Sequence, residues 1–114
     1  MEAKKTNTKI VIKQIDHKRD TNGVMFRDYD FTIENQGKID MKIYDNVWGG
    51  YVYANDLEDI FYIFNMDHPK DFRGHSLSVS DIVDVFWSDT IQPGMYFVDD
   101  FGFKLIHKWD RPQY

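Results

Sequence analysis

A chain of 114 residues with 42 % hydrophobic and 17 % aromatic content is long enough for one core and too apolar for a disordered segment. It contains no cysteine, which excludes a disulfide framework, a thiolate zinc site and a cysteine nucleophile, and suits a cytoplasmic protein. The net charge of −5 is unevenly spread, with seven Lys/Arg against four Asp/Glu over residues 1–28 and seven against fifteen over residues 29–114; an acidic body behind a basic end argues against nonspecific duplex binding by the body.

Residues 1–8 are polar and aperiodic and read as a flexible tail, without the apolar core of a secretion signal. Nowhere does an apolar run approach the roughly 20 residues that cross a bilayer, so no membrane partner is expected. From Lys9 to Ile15 the residues alternate, with apolar side chains on both faces, which predicts a strand inside a sheet. Asn22-Gly23 marks a turn. Val24 to Asn35 stays open between a second strand, paired with the first as a hairpin, and a short helix at Tyr29 to Glu34. Val47 to Ala54 reads as a strand interrupted at Gly49-Gly50 by a bulge or a close backbone approach.

The clearest element is a helix from Asn55 to Met66. Asn55 is placed as its N-cap, Glu58 completes a capping box, and Asp56, Glu58 and Asp59 sit where the helix dipole favours negative charge. Leu57, Ile60, Phe61 and Phe64 form one apolar face. A long irregular loop follows, within FNMDHPKDFRGHSLSVSDIV (residues 64–83), of the kind that is either functional or tied down by its own side chains. Ser80 to Ser88, Met95 to Asp100 and Phe103 to Lys108 predict a three-stranded antiparallel meander. Gln92-Pro93-Gly94 is read as a type II turn with glycine at positive φ. The fold class expected is α+β: a mainly antiparallel sheet of five to six strands with one principal helix packed on one face. A single domain spans residues 9–109, and residues 110–114 form a second tail.

Chemistry-bearing residues cluster in the loop. His68 and His75 with Asp67 and Asp71 have neither the spacing of a helical zinc pair nor that of a finger, and are read as surface or turn residues. Ser76, Ser78 and Ser80 alternate beside His75 and Asp81, so a hydrolytic triad is conceivable; without a nucleophile elbow, the preferred reading is that the hydroxyls tie the loop to its own backbone. Asp99 and Asp100 point to opposite faces of a strand and do not both serve one magnesium site unless the strand bends at Gly102. One of them is expected to bond to the serine loop. No cofactor and no small-molecule substrate are expected. The many aromatics are assigned to the core, with a surplus left for a protein-binding patch.

The motifs resemble the YodL-like domain of proteins carried on conjugative elements and plasmids of Firmicutes. They are Phe64-Asn65, then His68-Pro69-Lys70-Asp71-Phe72-Arg73-Gly74-His75-Ser76-Leu77-Ser78-Val79-Ser80-Asp81, then Tyr96-Phe97-Val98-Asp99-Asp100-Phe101-Gly102-Phe103. The resemblance covers residues 24–103 and carries no catalytic assignment. It makes Gly74, His75, Ser76, Ser78, Ser80, Asp81, Asp99, Phe101, Gly102 and Phe103 a structural motif, and it implies a mobile-element cargo protein. Small proteins of such elements include inhibitors of host defence, some of which act on type II CRISPR effectors through the guide RNA or its loading. By that analogy the expected role is a noncatalytic inhibitor of a CRISPR effector nuclease or its guide RNA complex. Asp56, Glu58 and Asp59 with Trp48 and Tyr51 would be its contacts. Two other roles stay open: an RNA-binding or RNA-cleaving accessory protein led by Lys4, Lys5, Lys9, Lys13, Lys18 and Arg19, and a structural partner of conjugation machinery.

Overall fold

The computed structural model describes residues 5–113. Five strands, β1 (Asn7–Ile15), β2 (Tyr44–Tyr53), β3 (Ile82–Ser88), β4 (Gly94–Val98) and β5 (Phe103–Lys108), and two helices, α1 (Tyr29–Gln36) and α2 (Leu57–Met66), follow one another as β1-α1-β2-α2-β3-β4-β5. The sheet order is β2-β1-β3-β4-β5 and every pairing is antiparallel. The α+β class, the strand count and the C-terminal meander are as the sequence led us to expect, and β1 lies inside the sheet.

The strand faces carry two cores. Ile10 and Ile12 of β1, Val83 and Val85 of β3, and Tyr96 and Val98 of β4 pack with Ile60 and Phe64 of α2 and with Phe72 and Leu77 of the loop. The side chains of opposite parity, Ile15, Ile82 and Phe97, pack with Val24, Tyr44 and the α1 segment, including Tyr29 and Phe31. Helices therefore cover both faces of the sheet. This corrects the expectation of a single helix on one face, and of a second strand directly after β1. The ambiguity had a cause: Tyr29, Phe31 and Ile33 stand at every second position, which imitates a strand. The caps decide instead. Asp28 accepts from the Phe31 N–H at 2.8 Å, and Gly37 closes the helix at φ +82°, a conformation that favours glycine.

Further boundaries differ from expectation. β1 takes in Asn7 and Thr8, which had been assigned to the tail; Thr8 is fully buried and its hydroxyl donates to the Ala54 carbonyl at 2.9 Å. β2 runs unbroken through Gly49-Gly50. Its irregularity falls at Val47, left unpaired where Ile12 faces Trp48 and Lys13 faces Asn46. The glycine pair marks a close approach instead: a Cβ on Gly50 would stand 2.9 Å from the Trp48 indole. α2 is capped by Asp56, not Asn55, and the reciprocal partner is Asp59, whose carboxylate accepts from the Asn55 N–H at 3.0 Å. Gly94 does not sit at positive φ. It opens β4, where a Cβ would meet the His107 carbonyl oxygen at 2.5 Å. The segment after Trp109, read as a tail, is tied back where the Gln113 N–H donates to the Phe86 carbonyl at 2.8 Å.

Candidate functional site: a tied serine loop and an acidic, aromatic cleft

Residues 67–81 cross the α2 face of the sheet without regular structure. Apolar anchors (Phe72, Leu77) pin the loop into the core, and one buried amide clamps its end. Gln14 of β1 donates from Nε2 to the His75 carbonyl at 2.8 Å and to Asp81 Oδ2 at 3.1 Å, while its Oε1 accepts from the His75 N–H at 3.2 Å. Gly74 permits that approach, since a Cβ there would lie 2.3 Å from the Gln14 oxygen. Asp81 Oδ2 also accepts from the Ser78 N–H at 2.8 Å.

Of the three serines expected to tie the loop to its own backbone, Ser78 does so, while Ser80 ties it to the backbone of Phe26 outside the loop. Ser78 Oγ donates to the Ser76 carbonyl at 2.8 Å. Ser80 Oγ accepts from the Phe26 N–H at 2.8 Å, and the Ser80 carbonyl accepts from the Tyr44 hydroxyl at 2.6 Å. Ser80 and Phe26 both hold positive φ, +82° and +65°, a strain that only a tightly determined surround maintains. The His75 ring stacks edge-on to Phe26 at 5.1 Å. Its Nδ1 is 2.8 Å from the Ser76 carbonyl, which makes that nitrogen the donor,. Its Nε2 is buried without a hydrogen-bond partner, 3.8 Å from Asp81 Oδ1. Burial pushes the Asp81 carboxyl up to about 8, against the lowering effect of the Ser78 and Gln14 donors,. The Tyr44 hydroxyl is raised by burial and then by the neighbouring Asp81. Among the described residues no hydroxyl bonds to the imidazole, so serine, histidine and aspartate do not assemble the relay a hydrolase needs.

The hairpin reaches the loop through its backbone. Ser80 N–H donates to the Val98 carbonyl and Val98 N–H to the Asp81 carbonyl, both at 2.9 Å. The expected carboxylate bond from Asp99 or Asp100 to the serine loop is not made. Asp99 Oδ1 instead accepts from the Tyr29 N–H at 3.1 Å and the Asp100 N–H at 3.0 Å, joining the β4–β5 turn to the start of α1.

That turn and α2 enclose a cleft of about 200 Å³ lined by Glu58, Phe61, Asp99, Asp100, Gly102 and Phe103. The Phe61 and Phe103 rings meet edge to face at 6.4 Å. The turn is closed by the Asp99 N–H on the Gly102 carbonyl at 3.0 Å, with Gly102 at φ +72°. It presents Phe101 at 97 % exposure. The neighbouring Asp28 carboxyl raises Asp100, while Asp28 is lowered by the Phe31 N–H and then by Asp100. Among the described residues Glu58, Asp99 and Asp100 have no ion-pair partner.

The anticipated contact residues do not form one surface. Asp56 caps the helix, and Asp59 is bonded to Lys5 at 3.1 Å. Trp48 donates its indole N–H to Asp71 at 2.8 Å and packs on Phe64, while Tyr51, 60 % exposed, stands beside Lys9 on the α1 side of the sheet. Glu58 alone reaches the cleft. Phe61, assigned from sequence to the buried face, and the Asp99-Asp100 pair complete it; a helical phenylalanine one turn above an acid and the diacid before Phe-Gly-Phe were the signals available. The basic residues are mostly engaged. Lys13 reaches Asn46 at 2.9 Å and Asp84 at 3.9 Å, Arg19 bonds to Asp16 and Asp45, and Lys9 lies 5.9 Å over the Phe86 ring. Lys18 is exposed, and Lys4 lies outside the described residues. His68 bonds to the Pro69 carbonyl at 2.9 Å, and no group of His, Asp or Glu with metal-binding geometry occurs among the described residues.

The family model described as YodL-like domain matches residues 9–109, reaching the N-terminal strand that the motif resemblance left out. No curated protein and no solved structure matches the chain.

Proposed function

The chain belongs to the YodL-like domain family, and from that premise we propose that it is a noncatalytic binding protein of a mobile genetic element. Its target in this reading is a type II CRISPR effector nuclease, met in the cytoplasm before guide RNA is loaded. The effector's guide channel is positively charged and recognises backbone geometry; a surface of unpaired carboxylates and aromatics is its chemical complement. The observation that carries the reading is the cleft between α2 and the β4–β5 turn, where Glu58, Asp99 and Asp100 have no cation partner among the described residues and Phe101 is held out at 97 % exposure. Binding rather than bond-breaking is supported by the bonds of Ser78 and Ser80, both to backbone groups. The engagement of Lys5, Lys13 and Arg19 by acids removes support from an RNA-binding arm.

A pull-down with purified effector tests the proposal. Capture of the guide-free effector, lost when guide RNA is loaded first, is the expected result. Absence of capture in both states overturns it.

A further inference from the structure

We infer that the cleft between α2 and the β4–β5 turn receives an arginine side chain of a protein partner. The guanidinium would lie between the Glu58 and Asp100 carboxylates, with its flat face on the exposed part of the Phe61–Phe103 pair. The inference rests on the docking reading and adds the chemistry of the contact.

Two independent features of the cleft converge on that ligand. The first is charge: acids from α2 and from the turn line one concavity, with no Lys, Arg or His of the described residues in ion-pair contact with them. The second is the wall: Phe61 is 37 % exposed and meets Phe103 edge-on, leaving ring surface open to the cleft. Carboxylates beside open aromatic faces select a planar, weakly hydrated cation, and arginine satisfies both where lysine satisfies only the charge.

A protein source is favoured over a free cation by what surrounds the cleft. Phe101, Tyr62 (62 % exposed) and Met66 (71 % exposed) extend apolar surface outward from it along the turn and α2. A free amine would leave that surface uncovered, whereas a polypeptide carrying the arginine covers it. The turn is fixed beforehand by the Asp99 bonds to Tyr29 and Asp100 and by the Gly102 carbonyl, so little ordering is needed on contact.

The test uses the full chain, labelled with nitrogen-15, titrated with the blocked tripeptide Gly-Arg-Gly and with its lysine and citrulline counterparts. Saturable amide shifts at Phe61, Gly102 and Phe103 are expected with the arginine peptide at roughly millimolar affinity. The lysine peptide should bind several-fold more weakly and the citrulline peptide not at all. Glu58→Gln, on the exposed first turn of α2, should weaken the arginine peptide several-fold without altering the rest of the spectrum. No saturable shift, a citrulline response equal to that of arginine, or lysine binding as well as arginine each overturns the inference. Failure of the effector pull-down with a positive titration would instead remove the named target and leave the cleft's chemistry standing.

Discussion

At the scale of single residues, Asp81 sets the character of the serine loop. It is 1 % exposed and accepts two hydrogen bonds from N–H donors, yet burial outweighs them and carries its carboxyl to about 8. The unfolded chain would release that proton near 3.8, so the folded state holds a proton over the interval in which the unfolded state has lost it. Stability from this group is therefore complete under acid conditions, declines as pH rises from about 4 to about 8, and levels off above,. Asp84 is raised by burial as well and acts in the same direction, so the difference between wild type and Asp81→Asn isolates Asp81. The amide keeps an acceptor for Ser78 and offers a donor toward the unpartnered His75 Nε2. Urea midpoints across that interval should fall for wild type relative to Asp81→Asn. A difference that is flat or opposite in sign would mean that the carboxyl is ionised inside the fold.

At the scale of elements, the structure rewards local chemistry over periodicity. α2 was legible because its apolar spacing and acidic first turn agree, but its cap lies one residue later than Asn55, since Asp56 holds the Asp59 N–H while Asn55 accepts from the Thr6 N–H at 3.0 Å. Asp56→Ala should cost about 0.5–2 kcal/mol in chemical unfolding, the usual worth of a cap. α1 was not legible from pattern, because Tyr29, Phe31 and Ile33 alternate and only Asp28 and Gly37 mark its ends. Gly94 was read as a turn glycine, when its meaning is spatial: β5 passes so near that a Cβ would meet the His107 carbonyl at 2.5 Å and the Leu105 side chain at 2.8 Å. Contacts made across the β4–β5 pairing cannot be read from Gln92-Pro93-Gly94 alone. Gly94→Ala should destabilise by roughly 1–3 kcal/mol, the usual cost of overpacking, and amides of β4 and β5 should exchange faster than those of β1. Equal exchange in all three strands would mean that β5 shifts to accommodate the methyl. The cleft was legible only in its parts, for the same reason: Glu58 and Asp99 are brought together by packing of α2 on the face of the sheet beside the β4–β5 turn.

At the scale of the whole molecule, sheet order decides what the charge asymmetry means. A basic end on an acidic body reads from sequence as two regions, but β1 lies between β2 and β3, which distributes its bases among the body's acids. Lys13 reaches Asp84 diagonally across the β1–β3 pairing, Arg19 in the loop after β1 reaches Asp45 of β2, and Lys5 reaches Asp59 of α2. Glu58, Asp99 and Asp100 at the α2–turn cleft are among the acids left without an ion-pair partner among the described residues. Of the residues expected to lead RNA binding, those left without an acidic partner among the described residues are Lys9, against Phe86, and Lys18 in the loop after β1, two separate cations and not a continuous basic track. Binding of single-stranded RNA depends on several phosphate contacts acting together, each releasing a counterion. A gel shift with a uridine homopolymer should accordingly show no complex at near-physiological salt, and the double substitution Lys9→Ala, Lys18→Ala should change nothing. Should a complex form, fall off steeply with added salt and vanish in that double variant, the scattered lysines would be acting as a track after all, and the acidic cleft would have to give way to an RNA surface on the other face of the sheet.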